Sequence, residues 1–424
     1  MSDGLNQLIE RLSKSALDNN DEILVDQFKV VRDYILSLKE IRIFIANSQN
    51  FGNQSSSVNI LRNLIRIGST ANFVLALYAQ NSTDYENLIG KIKVLIPQFK
   101  ELGKTFTLTK DGPPIVAVTL EEPLKPGPFA ITGGFDNLED KELPWNELNV
   151  LNYVQLQPYA WHRGTNGVMQ QQGNEPKWIN LDKSYPQVLL SRRAFYLPDP
   201  TITPDDWEAI AGTDFKTKAA IVRYLIDQRD ASKINLCPAY GFQTKGIVYS
   251  NLYNYVAGIL QAQDDHWEAS LPTVLISIPE VDSQAWTAFL GYIRNPKNTM
   301  VSPRTASPNF VSWHAEAKVN ERVKDAGFPG FPASLDDVKE AVQELELKQV
   351  LVLYLGPIPA VLFNELYGKS SLPTLLEGQA TVELLLNTGK PYLKISSNVD
   401  ETAFGYPTLP LNSEASGELA TNAQ

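Results

Sequence analysis

Residues 41–78 read IRIFIANSQN FGNQSSSVNI LRNLIRIGST ANFVLALY, and this stretch decides the fold class. Its first six residues, Ile41-Arg42-Ile43-Phe44-Ile45-Ala46, make a short run of β-branched and apolar side chains, which suits a buried strand. A polar segment with one glycine, residues 47–54, follows. From about Ser55, Val58, Leu61, Leu64 and Ile65 then recur at helical spacing. Gly68 stands where a helix is closed by a residue in the left-handed region. The run from Asn72 to Tyr78 is again short and apolar. Strand, glycine-bearing loop, helix and strand within forty residues is a βαβ unit, and its uniformly apolar strands predict parallel neighbours covered on both faces.

Outward from this unit the alternation continues. A helix is expected over 84–103, and strands over 115–120, 129–131 and 153–157. Residues 161–215, rich in Pro, Gly, Trp and polar side chains, are expected to form long loops and short helices. A second series begins at Lys233. It has strands at 234–237, 273–278, 350–355, 372–376 and 392–395, a helical stripe of Leu252, Tyr255, Val256, Ile259 and Leu260, and helices at 285–293 and 381–387. Such alternation predicts an α/β protein with two doubly wound, Rossmann-like sheets. The expected domains are therefore 41–232 and 233–400, preceded by a helical hairpin over 1–40 and followed by a polar tail over 401–424. In the hairpin, Leu5, Leu8, Ile9 and Leu12 form one stripe and Phe28, Val31, Ile35 and Leu38 another. It is expected to cover an edge of the body or to dock a partner.

Bulk properties agree with a globular chain. A length of 424 residues implies two or three domains at about 100–200 residues each. With a net charge of −11 and no Lys/Arg-rich stretch, phosphate neutralisation along a nucleic acid is excluded as the main binding mode. The lone Cys237 excludes an internal disulfide and a Cys-based metal cluster. Neither a basic segment followed by an apolar run nor an 18-residue apolar window occurs, so a cytoplasmic protein without a signal peptide or transmembrane segment is expected.

The stretch richest in chemistry is residues 377–392, EGQATVELLLNTGKPY. Gly378 allows a sharp turn and close approach of a ligand to the backbone. Gln379, Ala380 and Thr381 open a helix whose free N–H groups and positive dipole end suit a phosphate. Glu383, one turn in, is placed to accept from ribose hydroxyls. Gly389 closes the helix, and Lys390-Pro391 turns the chain into the next strand.

This run resembles the G-x-x-T-x-x-E-x-x-x-x-G-K-P sequence of GT-B glycosyltransferases, with Glu383 two residues after Thr381 rather than three. The resemblance implies two Rossmann-like domains facing a cleft, and a nucleotide-diphosphate sugar, with no further cofactor, lying against the second. Its diphosphate and ribose would lie at Gly378, Gln379, Thr381 and Glu383. The strand 350–355 with Gly356 and Pro357 looks like the loop that meets the base. Residues 237–245 look like the first loop of the donor domain, with Gly241 permitting close approach and Lys245 neutralising phosphate. On the acceptor side, residues 47–54, with Asn47, Ser48 and Gly52, resemble the glycine-containing loop that faces the cleft. Trp161 is a candidate to line the acceptor site, and His162 is the candidate general base.

Other constellations carry less. The chain contains no Asp-x-Asp, so a metal-independent reaction is expected. Asp264-Asp265-His266 reads as a solvated helix end, since adjacent helical positions diverge. Neither a fixed carboxylate pair nor a Gly-x-Ser-x-Gly elbow is present to support glycoside hydrolysis or a serine nucleophile. Two rival readings remain beside the transferase. One is a catalytically inactive interaction or effector protein on the same frame, suggested by the lack of any His before His162. The other is a different nucleotide-sugar enzyme, such as an epimerase.

Overall fold

The computed structural model describes residues 33–34, 36–48, 51–133, 145–156, 168–172, 175–179, 202–240, 248–265, 270–278, 281, 283–294, 319–376, 381, 384–385 and 388–394. The expected hairpin over 1–40 and the tail over 401–424 fall almost wholly outside these residues. Two compact units divide between Ala209 and Ile210.

The first unit contains β1 (Glu40–Ala46), α1 (Gly52–Arg66), β2 (Asn72–Tyr78), α2 (Ser82–Leu95), β3 (Thr105–Phe106), β4 (Ile115–Thr119), β5 (Gly127–Thr132), α3 (Trp145–Leu148), β6 (Val150–Leu156), β7 (Val168–Gln172) and β8 (Glu175–Ile179). Helix α4 (Pro204–Ala211) runs across the division. The sheet order is β3-β4-β2-β1-β5-β6-β7-β8. Strands β4, β2, β1, β5 and β6 are parallel, and β3, β7 and β8 are antiparallel additions at the two edges. The chain winds from β1 outward through β2 and β4, then returns to the other side of β1. Ile41, Ile43, Phe44 and Ile45 are all nearly inaccessible, so both faces of β1 are covered as its composition requires.

Local chemistry explains several boundaries. Gly68 adopts a φ of +94°, the Ser69 N–H donates to Leu64 O at 3.0 Å and the Gly68 N–H to Ile65 O at 3.0 Å, a Schellman closure of α1. Helix α2 starts where the Asn81 side chain accepts from the Asp84 N–H. The region 161–215, expected as loops and short helices, contributes the β7–β8 hairpin to the sheet edge.

The second unit contains α5 (Lys216–Asp230), β9 (Asn235–Ala239), α6 (Val248–Asp265), β10 (Thr273–Ser277), α7 (Ser283–Arg294), α8 (Val319–Arg322), β11 (Val323–Ala326), α9 (Leu335–Gln343), β12 (Val350–Tyr354), α10 (Ala360–Gly368), β13 (Thr374–Leu376) and β14 (Tyr392–Lys394). Its strands pair in parallel in the order β11-β12-β10-β9-β13-β14. Helix α5, which precedes the expected division at 232/233, packs on β9, α9 and α10 of this unit. Leu252, Val256 and Leu260 of α6 meet Trp286 and Phe289 of α7 over Leu275, Val350 and Val352 of the sheet. With the outer additions set aside, both units follow the order third, second, first, fourth, fifth. That is the winding of dinucleotide-binding folds.

Candidate functional site

In an open sheet of this winding, ligands gather at the carboxyl ends of the strands where the order reverses, because the helices diverge there and leave a crevice. In the second unit the reversal lies between β9 and β13. Leu375 pairs with Ala239, and the Tyr240 N–H donates to Leu375 O at 3.0 Å. The chain therefore leaves both strands side by side, toward residues 241–247 and 377–380. Gly241, Lys245, Gly378, Gln379 and Glu383 lie outside the described residues, as do Trp161 and His162.

What frames those segments is described. Thr381 is helical and only 7% exposed, and Leu384 and Leu385 are buried as well. Gly389 takes a φ of +64° and the Lys390 N–H donates to Leu385 O at 2.9 Å, so the glycine closes this turn of helix as its position in the sequence suggested. The chain then enters β14, whose Tyr392 pairs with Thr374 of β13.

Gly356 and Pro357 follow β12, two strands from the reversal. Gly356 has a φ of +68°, and its N–H and that of Leu355 both donate to Ser277 O, at 3.1 and 2.9 Å. The Pro357 carbonyl is engaged by Lys218 Nζ at 2.7 Å. Pro359 then leads into α10, whose first turn carries neither a side-chain cap nor an acidic residue. Ser277, which sequence reasoning did not single out, and Tyr240, from the expected 237–245 loop, also sit at this end of the sheet. Ser277, the last residue of β10, is fully buried with no partner for its Oγ. Tyr240 packs edge-on against Phe363 of α10 at 5.4 Å. Nothing in the sequence marks Ser277, because its significance depends on a strand register.

Cys237 is no nucleophile. Its thiol lies 3.1 Å from the Tyr255 hydroxyl, and burial pushes its pKa up to about 12, so it stays protonated. The Asp264 carboxylate meets Arg322 at 3.0 Å and Lys348 at 3.3 Å, an ion-pair cluster at the end of α6.

In the first unit, two of the residues assigned to an acceptor side, Asn47 and Ser48, share a cation that the sequence did not single out. Lys91 Nζ of α2 donates to Asn47 Oδ1 at 3.3 Å and to the Ser48 carbonyl, and lies 5.9 Å from the centre of the Phe51 ring. Burial lowers its pKa. The Ser48 hydroxyl donates to Gln54 Oε1 at 3.2 Å, and Gln54 Nε2 to Ala46 O at 3.0 Å. Gly52 opens α1, which has no acidic residue in its first turn.

Comparison with family models, with curated proteins and with solved structures gives no match to this chain. Among the described residues, no helix is long and apolar enough to cross a membrane.

Proposed function

We propose that this protein is a GT-B-type glycosyltransferase that takes its sugar from a nucleoside-diphosphate donor held by the second unit. One observation carries the reading: the segment resembling the GT-B donor motif is the crossover from β13 to β14, and it begins beside β9 where the strand order reverses. Breaking the glycosidic bond leaves negative charge on the departing diphosphate. The N–H groups at 379–381 and the Lys245 ammonium are suited to stabilise it without a resident metal. Glu383 accepts from the ribose hydroxyls, and Gly356, Gly241 and Gly378 give the nucleotide room to approach the backbone. Asn47, Ser48, Gly52 and Trp161 serve the acceptor, with His162 as the candidate base.

A panel of nucleoside diphosphates tests the first half of the reading, since a ligand bound only by the folded state raises the melting temperature by mass action. Release of free nucleoside diphosphate from a nucleotide sugar tests the second. The inactive-protein reading is favoured by one arrangement, the loop after β1, which lacks His and whose Asn47 and Ser48 are engaged by Lys91. Stabilisation by a nucleotide with no turnover of any nucleotide sugar would select that reading.

A further inference from the structure

The turn after β12 is fastened at two points. On the sheet side, Ser277 O accepts from the N–H groups of Leu355 and Gly356, at 2.9 and 3.1 Å. On the other side stands a lysine of α5. Lys218 Nζ donates to Pro357 O at 2.7 Å, and a Cβ on Gly356 would lie 3.4 Å from the same nitrogen. The ammonium also lies 5.9 Å from the centre of the Phe215 ring. Beyond the turn the chain enters α10 at Ala360. This helix packs on α5 and β9, and Phe363 in its first turn stands 5.4 Å from Tyr240, which follows β9 at the order reversal. Residues 356–359 thus join the end of β12 to a helix whose first turn meets the crevice.

Lys218 belongs to the first turn of α5, which has neither an acidic residue nor a side-chain cap. A cation there opposes the helix dipole, so helix stability does not account for a lysine at this place. Its gain lies in the bond to Pro357, 139 residues away in the chain. Gly356, at a φ of +68° and without a side chain, leaves the backbone free to turn between the two fastenings. Without Lys218, only the bonds to Ser277 would hold the turn. We propose that Lys218 is a positioning residue for the nucleotide base: it holds the Gly356–Pro357 turn at one distance from the crevice and thereby sets which base the second unit accepts. The inference rests on the donor-site reading above and goes beyond it, because it assigns base selectivity to a residue of α5 that need touch no nucleotide.

The test is calorimetric titration of the full-length protein with the diphosphates of uridine, cytidine, adenosine and guanosine, and with inorganic pyrophosphate. The wild type prefers one base. Lys218→Met weakens the preferred nucleotide about fivefold, the scale of one hydrogen bond, and narrows the spread among the four bases. Pyrophosphate affinity is unchanged, because it has no base to position. Lys216→Met removes the same charge from an exposed neighbour in the same turn and leaves the spread as in the wild type. Lys218→Arg, which can still donate to Pro357 O, restores most of the preference. The melting temperature of Lys218→Met stays near that of the wild type, since one bond is lost while a charge opposed to the helix dipole is removed. A folded Lys218→Met protein with wild-type affinities and spread overturns the proposal, as does a wild type that binds all four nucleotides alike. Equal weakening of pyrophosphate, or of the nucleotides by Lys216→Met, also overturns it, because Lys218 would then act through its charge alone. A wild type that binds none of the four nucleotides overturns the donor-site reading itself, and this inference with it.

Discussion

The Tyr255 hydroxyl donates to the carbonyl of Pro373, at the one place along β9 where the strand has no N–H to offer. Leu236 and Tyr240 turn their N–H groups toward the 371–375 segment, to Ser371 Oγ at 3.2 Å and Leu375 O at 3.0 Å. Between them stands Pro238. A proline in a central strand ordinarily argues against the strand, because it removes a ladder bond. Here a helix side chain supplies the missing donor, and β9 continues through Pro238 to Ala239 instead of stopping at Cys237. Tyr255→Phe keeps the ring and leaves the Pro373 carbonyl with only the Cys237 thiol, a weak donor at 3.8 Å. We expect a loss of about 0.5–1.5 kcal/mol in urea unfolding, the usual net worth of one hydrogen bond.

Two glycines should respond to alanine with opposite signs. A Cβ on Gly127 would stand 2.6 Å from the Arg42 guanidinium. That group is held by the carbonyls of Lys125 at 2.6 Å, Asn149 at 3.2 Å and Leu148. Displacing it breaks charge-assisted bonds worth about 1.5–3 kcal/mol each, so Gly127→Ala should cost at least about 2 kcal/mol. Gly90 lies in α2 with nothing within 4 Å of such a Cβ, and Gly90→Ala should stabilise by up to about 1 kcal/mol. Paired denaturant curves decide both.

The fold was legible where both faces of a strand are buried. The run Asn72 to Tyr78 is β2 at its observed bounds, and the expected strand over 41–46 grows only by Glu40, which pairs with Asn72. Gly68 and Gly389 announced their helix ends because few other residues take a φ near +60° to +90° without strain. Less was readable at the edges, where β7 and β8 lie in a stretch without apolar alternation. In the candidate site, the sequence gives the spacing of Gly378, Thr381 and Gly389. It does not reveal Lys91, which reaches Asn47 and Ser48 from more than forty residues away, or Ser277, whose surroundings are set by pairing with Ala239 and Tyr354.

Acid should loosen the first unit through one buried pair. Arg62 and Asp206 meet at 3.2 Å, with side chains 8% and 4% exposed. Burial alone would raise the Asp206 pKa, but the Arg62 charge and hydrogen bonds from Thr203 and Gln98 outweigh it, and the net shift is downward. A carboxyl whose folded pKa is depressed stabilises fully above its unfolded value, near 3.9, and loses that contribution as pH falls through the folded one. Stability should therefore fall as pH drops below about 4 to 5. In Asp206→Asn the profile should be flatter, and the neutral-pH stability lower by about 3–5 kcal/mol because Arg62 loses its buried counter-charge. Unfolding measured across this pH range checks both.

Cys237 should be silent to thiol reagents in the native state, because it is buried and its pKa stands at about 12. Labelling at pH 8 is expected only at the rate of unfolding and should accelerate in denaturant. Rapid native labelling would show that the packing around Tyr255 opens.

The central claim, that a nucleoside diphosphate binds at the crossover from β13 to β14, is tested most directly by calorimetric titration of wild type and Glu383→Ala with the most stabilising nucleotide of the panel. On the helix expected from the sequence Glu383 stands in the first turn, where a charge contributes under about 1 kcal/mol to folding, so the variant is expected to melt near the wild type. Loss of a charge-assisted bond to the ribose costs about 1.5–3 kcal/mol, which predicts at least about tenfold weaker binding. Equal affinity in the two folded proteins would contradict the ribose role of Glu383, and absence of any nucleotide binding by the wild type would contradict the donor site itself.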